Sequence, residues 1–440
     1  MAANNMKWLV AAFLLLIVAM ALNLMLLVYA MYAIIGIIII SKWVTSRWAQ
    51  AIDAERTCDT EIAEIGDLVS IIVKLRHAGR FPIAWVLVED MLEQKSLAFK
   101  PPSLGVKGNR LEVMQLNPGQ KKQLIYQLEC NRRGYYQVGP LVLETGDMFG
   151  LNRRYRVLTQ PIFLLVLPKI VSVGSYDIAS RRPIGEVVMT HRLFEDPTRI
   201  AGVRKYQQGD PLARVHWRAT ARTGKLQSKI YEPSTLAGAT VVVDFHQDSF
   251  DPKHEPVRSE LAVTAAASIA NALQEMGQQI GLVSNGRDAV DRIQEEGWKG
   301  DQRTREEAKK SATRMTESDR LRPVIVATRK SPEQMVYISK ALARLEKTDG
   351  LKLSELVIES AAQIPRDATV IVIVSTINME NAVALGGLAR QGYSVEVIVN
   401  CYSDEEFVTV SGPLLAEGIM TRHLRDESAI PAICEKQILQ

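Results

Sequence analysis

Residues 239–249, ATVVVDFHQDS, decide how the second half of this chain is read. The unbroken run Ala239-Thr240-Val241-Val242-Val243 has the pattern of a strand buried on both faces, and Asp244 closes it. Downstream the grammar alternates. Residues 259–274, 333–346, 353–361 and 380–390 carry helical patterning, while residues 279–284, 369–375 and 394–399 read as strands. That alternation predicts an α/β domain over residues 239–440, with a parallel sheet covered by helices on both faces. Ligands on such sheets bind beyond the carboxyl ends of the strands. The first such end is Asp244-Phe245-His246-Gln247-Asp248-Ser249. It makes Asp244 and Asp248 candidate oxygen ligands for a hard cation such as magnesium. The competing reading makes Asp244 a loop brace. Residues 298–322 mix both charge signs and read as a solvated helix or insertion.

Immediately upstream, residues 202–226 read GVRKYQQGDPLARVHWRATARTGKL. Six basic residues, Arg204, Lys205, Arg214, Arg218, Arg222 and Lys225, stand against one acid, Asp210. Gly209-Asp210-Pro211 has the chemistry of a turn. Arg214, Arg218 and Arg222 then recur every four residues, as along one face of a short helix, with Trp217 placed to anchor it to a core. Exposed, such guanidinium groups suit carboxylates, phosphates or an acidic partner surface. Buried, they would brace loops and carbonyl groups. His216 beside Trp217 reads as a bracing histidine before it reads as a base.

The linker before this stretch, within residues 170–238, holds Arg181-Arg182-Pro183 and Glu195-Asp196-Pro197, polar patches that make poor helix or strand. Before it, over residues 55–169, the period is two. Residues 68–76, 83–89, 111–116, 122–130 and 135–144 read as strands, and residues 162–167 as a buried closing strand. Gly and Pro turns between them predict a small all-β antiparallel sandwich. Residues 146–150 read as a tight turn carrying one inward aromatic, Phe149.

Residues 8–40 form a charge-free apolar run flanked by Lys7 and by Lys42 and Arg47. As one helix it would be about 50 Å long, well over the ~30 Å hydrocarbon core. Basic flanks favour the cytoplasm, so a transmembrane hairpin over residues 7–41, broken near Asn23, satisfies both ends. The lipid bilayer is then a partner through residues 8–40, and the soluble domains face the cytoplasm. Trp43 and Trp48 read as interfacial anchors.

Net charge is only +4, so nothing global points to nucleic acid. Cys58, Cys130, Cys401 and Cys434 lie far apart, in neither a zinc nor a disulfide pattern, which suits a reducing compartment. None of the six histidines has metal spacing, and there is no nucleophile elbow or phosphate-binding loop. No catalytic constellation emerges, and the chain reads as a non-enzyme without a cofactor, magnesium being the one candidate.

The run Arg204-x-Tyr206-x-x-Gly209-Asp210-x-x-x-Arg214-x-His216-Trp217-x-x-x-Ala221-Arg222 resembles the bacterial domain-of-unknown-function fifty-eight family. So do Arg132-Arg133-Gly134-Tyr135-Tyr136-Gln137-Val138-Gly139-Pro140 and Gly146-Asp147-Met148-Phe149-Gly150-Leu151, where Met148 replaces the family's usual proline. The resemblance implies a C-terminal domain similar to von Willebrand factor A domains. Asp244 then falls where such domains begin a metal-binding Asp-x-Ser-x-Ser, but His246 and Asp248 replace the serines. Ser375-Thr376-Ile377 offers no carboxylate at the later strand end, so a degenerate site is implied. The resemblance also implies a membrane-anchored adaptor or scaffold working with a MoxR-type AAA+ ATPase in assembly or maturation of complexes. The rival expectation is a metal-dependent hydrolase of cell-envelope material using Asp244 and Asp248.

Overall fold

The computed structural model describes residues 2–22, 24–93, 96–97, 100–148, 150, 152–173, 195–207, 214–233, 238–296, 321–366 and 368–434. The chain divides into two compact units. One comprises Met1–Lys169 with Gly286–Val324 and Ser339–Gly350; the other comprises Ile170–Asn285, Ile325–Ile338 and Leu351–Gln440.

The first unit begins with helices α1 (Ala2–Ala21) and α2 (Met25–Gln50), so the apolar run breaks where the sequence predicts. α2 has 26 residues, about 39 Å of helix, and a mean hydropathy of 2.1 in its apolar window. Among the described residues it is the one helix long and apolar enough to cross a membrane; the apolar part of α1, Ala11–Ala21, is shorter. α2 continues well beyond Ile40. Its buried residues there, Ser41, Thr45, Trp48 and Ala49, follow helical spacing on one face. Trp48, expected as an interfacial anchor, is instead 9% exposed and packed in the core of the β-region, because it lies on that inward face.

The β-region contains β1 (Ile52–Cys58), β2 (Ile62–Glu64), β3 (Leu68–His77), β4 (Ile83–Leu92), β5 (Leu104–Gly108), β6 (Leu111–Leu116), β7 (Lys121–Cys130), β8 (Gly134–Gly146), β9 (Arg153–Thr159) and β10 (Ile162–Leu167). One sheet runs β1-β3-β7-β5, all antiparallel. The other runs β2-β10-β8-β4-β6 with β9 on β8, and β2 pairs parallel to β10. Alternate residues point inward: Val69, Ile71, Val73 and Leu75 of β3 join Leu124, Tyr126 and Leu128 of β7. From the other sheet, Val86, Val88, Leu141, Leu143, Leu164 and Val166 complete the same core. Burying each such aliphatic side chain contributes about 1.5–3 kcal/mol. Three short elements from later in the chain also belong to this unit: β15 (Arg287–Asp288), α5 (Ala289–Glu296) and β17 (Leu345–Glu346).

The second unit opens with β11 (Glu195–Lys205), α3 (Trp217–Thr223) and β12 (Gln227–Pro233), and β11 pairs antiparallel with β12. A strand at Glu195-Asp196-Pro197 corrects the expectation of an unstructured linker there. The register shifts between Glu195 and Ile200, which accommodates Pro197 and its missing N–H. Arg181-Arg182-Pro183 lies outside the described residues, as do residues 298–320 of the mixed-charge stretch.

Its main sheet contains β13 (Gly238–Val243), β14 (Gln279–Ser284), β16 (Val324–Arg329), β18 (Ala368–Val374), β19 (Ser394–Val399) and β20 (Met420–His423), ordered β16-β14-β13-β18-β19-β20. β13 pairs parallel with β14 and β18, β18 with β19, and β19 with β20. Every residue of β13 and β18 is buried, as their apolar runs require. Between strands come α4 (Val257–Glu275), α6 (Gln334–Arg344), whose residues from Ser339 onward belong to the first unit, α7 (Leu353–Ser360), α8 (Met379–Arg390) and α9 (Asp404–Ala416), with α10 (Ala429–Cys434) last. Chain order reverses between β13 and β18. Their carboxyl ends therefore flank the crevice where such sheets hold functional groups.

Candidate functional site

Both sequence candidates lie in the second unit. The Arg-rich stretch forms a strand, a short helix and a returning strand. Tyr206 N–H donates to Leu226 O at 3.0 Å, and His216 N–H to Gln227 O at 2.8 Å. Val215, buried, bridges to Ser228. α3 is held at its ends: His216 Nδ1 accepts from Ala219 N–H at 3.0 Å, and Gly224 stops the helix at φ 66°, a left-handed conformation that favours glycine. Thr220 Oγ1 accepts from Gln227 N–H at 3.0 Å, tying the middle of the helix to β12.

The helix buries none of its own residues. Arg218 and Arg222, one turn apart, are exposed, with no ion pair among the described residues. Two expectations are corrected. Arg214 precedes the His216 cap and lies half-buried outside the helix, so the stripe has two members and not three. Trp217 is 68% exposed, so it is not the core anchor that the sequence suggests. Arg204 is half-buried and donates to Lys205 O at 3.3 Å; Tyr206 is half-buried. Gly209 and Asp210 lie outside the described residues.

The carboxyl end of β13 is a hydrogen-bonded brace. Asp244 is 1% exposed. Its Oδ1 accepts from His246 N–H at 3.2 Å and from Asn285 Nδ2 at 2.8 Å; its Oδ2 accepts from Ser249 Oγ at 2.6 Å. Asn285, at the end of β14, also accepts from Phe245 N–H at 2.6 Å and donates to Leu351 O at 2.9 Å. Thr376 Oγ1 reaches Ser249 O at 3.3 Å from the end of β18. Asp248 points away, its side chain 80% exposed, while His246 Nδ1 accepts from its backbone N–H at 3.2 Å. Among the described residues no three His, Cys, Asp or Glu side chains gather as a metal-binding group. Asp244 is held in this arrangement by three hydrogen bonds, while the Asp248 carboxylate lies largely in solvent. Asn285 and Ser249 are partners that the sequence reading missed; their position just past a strand end was the available signal.

The upstream blocks lie in the first unit and hold it together. Arg133, buried, donates through Nη1 to Leu342 O at 2.6 Å and Leu345 O at 2.9 Å. Tyr136 Oη donates to Arg132 O and Arg133 O, each at 3.0 Å. Asp147 accepts from Ser41 Oγ of α2 and, at 2.7 Å, from Asn152 N–H, while Asn152 Nδ2 donates to Ser41 Oγ at 2.8 Å. Phe149 lies outside the described residues.

These placements can be set beside known proteins. Residues 202–349 match the family described as protein of unknown function DUF58. The match takes in α3, its flanking strands and the Asp244 brace, and stops short of the upstream blocks. Uncharacterized protein YeaD of Bacillus subtilis is 26% identical over 243 residues, covering 54% of this chain and 57% of that protein. The chain thus spans little over half the length of that curated relative. Among solved structures, the CARDB domain of the PF1109 protein from Pyrococcus furiosus is similar at a TM-score of 0.18, with 12% identity over 26% of this chain and 87% of that one. Proximal thread matrix protein 1 from the mussel byssus reaches a TM-score of 0.27, with 10% identity over 45% of this chain and 46% of that one.

Proposed function

We propose that this chain is a membrane-anchored, non-enzymatic docking protein whose helix α3 receives a protein partner, a MoxR-type AAA+ ATPase. The observation that carries the reading is that α3 is fixed at both ends yet has no fully buried residue, presenting Trp217, Arg218 and Arg222 to solvent. Tryptophan and arginine dominate the energetics of protein interfaces, and a pre-ordered helix offers them at low entropic cost. In this reading α1 and α2 form a transmembrane hairpin with the rest of the chain in the cytoplasm. The two β-sheets around one core support an antiparallel sandwich, and the reversal of strand order at β13 and β18 supports a von Willebrand A-like domain. The sandwich and sheet domain serve as a scaffold for the partner.

The test is direct binding of full-length protein, in detergent micelles, to a purified MoxR-type ATPase. Arg218→Glu is expected to weaken binding more than tenfold and to flatten its salt dependence. Equal binding by wild type and variant, or no binding by either, contradicts the proposal.

A further inference from the structure

A second feature lies where α2 leaves its apolar segment. A cavity of ≈ 370 Å³ is lined by Trp43, Arg47, Trp48, Ala51, Arg80 and Phe81, all within the first unit. That is the size of a small-ligand site. Its floor depends on close packing: a Cβ at Gly79 would lie 2.6 Å from Ala51 Cβ, so only glycine lets the turn before Arg80 lie against the end of α2. Ala78 N–H donates to Ala51 O at 2.8 Å and fixes that approach.

The lining is cationic and rich in donors. It holds two guanidinium groups and no carboxylate, and neither Arg47 nor Arg80 has an ion pair among the described residues. The indole N–H of Trp48 is buried without an acceptor, a donor that a ligand oxygen would satisfy. A helix C-terminus would ordinarily repel an anion. Here Arg156 covers it, donating to Ala49 O, Gln50 O and Ile52 O at 3.0, 3.3 and 3.0 Å. Trp43, 51% exposed, and Phe81, 57% exposed, meet edge to face at 6.1 Å and form an apolar rim.

Position selects the ligand. The charge-free run ends at Ile40, so Trp43 lies about 5 Å further along the helix; Arg47 starts about 10 Å along, but its guanidinium folds back over the Trp43 ring at 5.6 Å. Headgroup layers extend about 5–8 Å beyond each edge of the hydrocarbon. We propose that this cavity binds the phosphate-bearing headgroup of an anionic phospholipid, with Arg47 and Arg80 as its charge partners and Trp43 and Phe81 at its rim. The proposal rests on the membrane-anchored reading of α2.

Full-length protein in neutral detergent, offered equal phosphatidylglycerol and phosphatidylcholine, is examined by native mass spectrometry and thermal melting. Phosphatidylglycerol should be retained about tenfold over phosphatidylcholine and should raise the melting temperature. The double variant Arg47→Gln/Arg80→Gln should lose that preference while melting normally without lipid, and Arg47→Lys/Arg80→Lys should keep most of it. Equal retention of the two lipids, or a preference surviving in the Gln variant, overturns the site. Stabilisation by inorganic phosphate equal to that by phosphatidylglycerol overturns the lipid as its source. Release of the chain from membranes by alkaline carbonate would instead remove the membrane reading, and the headgroup site with it.

Discussion

His216 Nδ1 accepts a hydrogen bond from the backbone N–H of Ala219 at 3.0 Å, and that contact sets where α3 begins. A seven-residue helix has too few internal bonds to nucleate alone, so its ends must be held by their surroundings. His216→Ala should cost about 1 kcal/mol, confined to α3. Amide exchange at Thr220 and Gly224 is expected to quicken, while His216→Asn restores protection. Unchanged exchange in the Ala variant would show that Thr220 and β12 alone hold the helix.

Arg56 and Asp90 form an enclosed ion pair at 2.6 Å, and Tyr126 Oη donates to the second carboxylate oxygen at 2.9 Å. Burial pushes the Asp90 carboxyl up, against the pull of Arg56 and Tyr126. Arg56→Ala leaves a buried charge unpaired and should cost about 3–5 kcal/mol in denaturant unfolding. The carboxyl then holds its proton more tightly folded than unfolded, so stability falls as pH rises above the ordinary carboxylate range. The deficit should be smaller at pH 4 than at pH 7. Gly139→Ala should also destabilise, since Gly139 sits at φ 96° and its added Cβ would overlap the Arg56 guanidinium. A deficit that does not change with pH would contradict a trapped Asp90 charge.

Arg133 tethers a late segment to β8 through the Leu342 and Leu345 carbonyls. Arg133→Ala should cost about 1.5–3 kcal/mol, the range for hydrogen bonds to a charged group. Limited proteolysis should then cut near residues 342–350 first. Cleavage unchanged from wild type would show the tether to be redundant.

Burial pushes the thiols of Cys130 and Cys401 up to about 11. Both stay protonated at pH 8, and the thiolate is the reactive form. Native protein should therefore resist iodoacetamide at both positions until denaturant is added. Rapid labelling of Cys401 in the native state would mean that the end of β19 opens readily.

Much of the fold is legible in the residues. β6, β10, β14 and β19 fall on the strands read from period and apolar runs, because their burial follows local pattern. β1, Ile-Asp-Ala-Glu-Arg-Thr-Cys, looks like solvated coil and is a strand only because seven residues pair with β3. β9 opens with Arg153 and Arg154 and is held by β8 in the same way. α9 was hidden by Gly412 and Pro413, residues that usually end helices. At the candidate site, the spacing of Arg218 and Arg222 was readable. The exposure of Trp217 was not, since an aromatic beside a charged stripe is compatible with either burial or display.

In the proposed function α3 displays its side chains for binding and does not brace the fold. The triple variant Trp217→Ala/Arg218→Gln/Arg222→Gln tests it, with thermal melting and ATPase binding measured on one full-length preparation. Exposed side chains of this kind each change stability by no more than about 0.5 kcal/mol. Melting within 2–3 °C of wild type, together with binding reduced at least a hundredfold, is the expected result. A variant that unfolds, or one that melts normally and binds as wild type does, would contradict it.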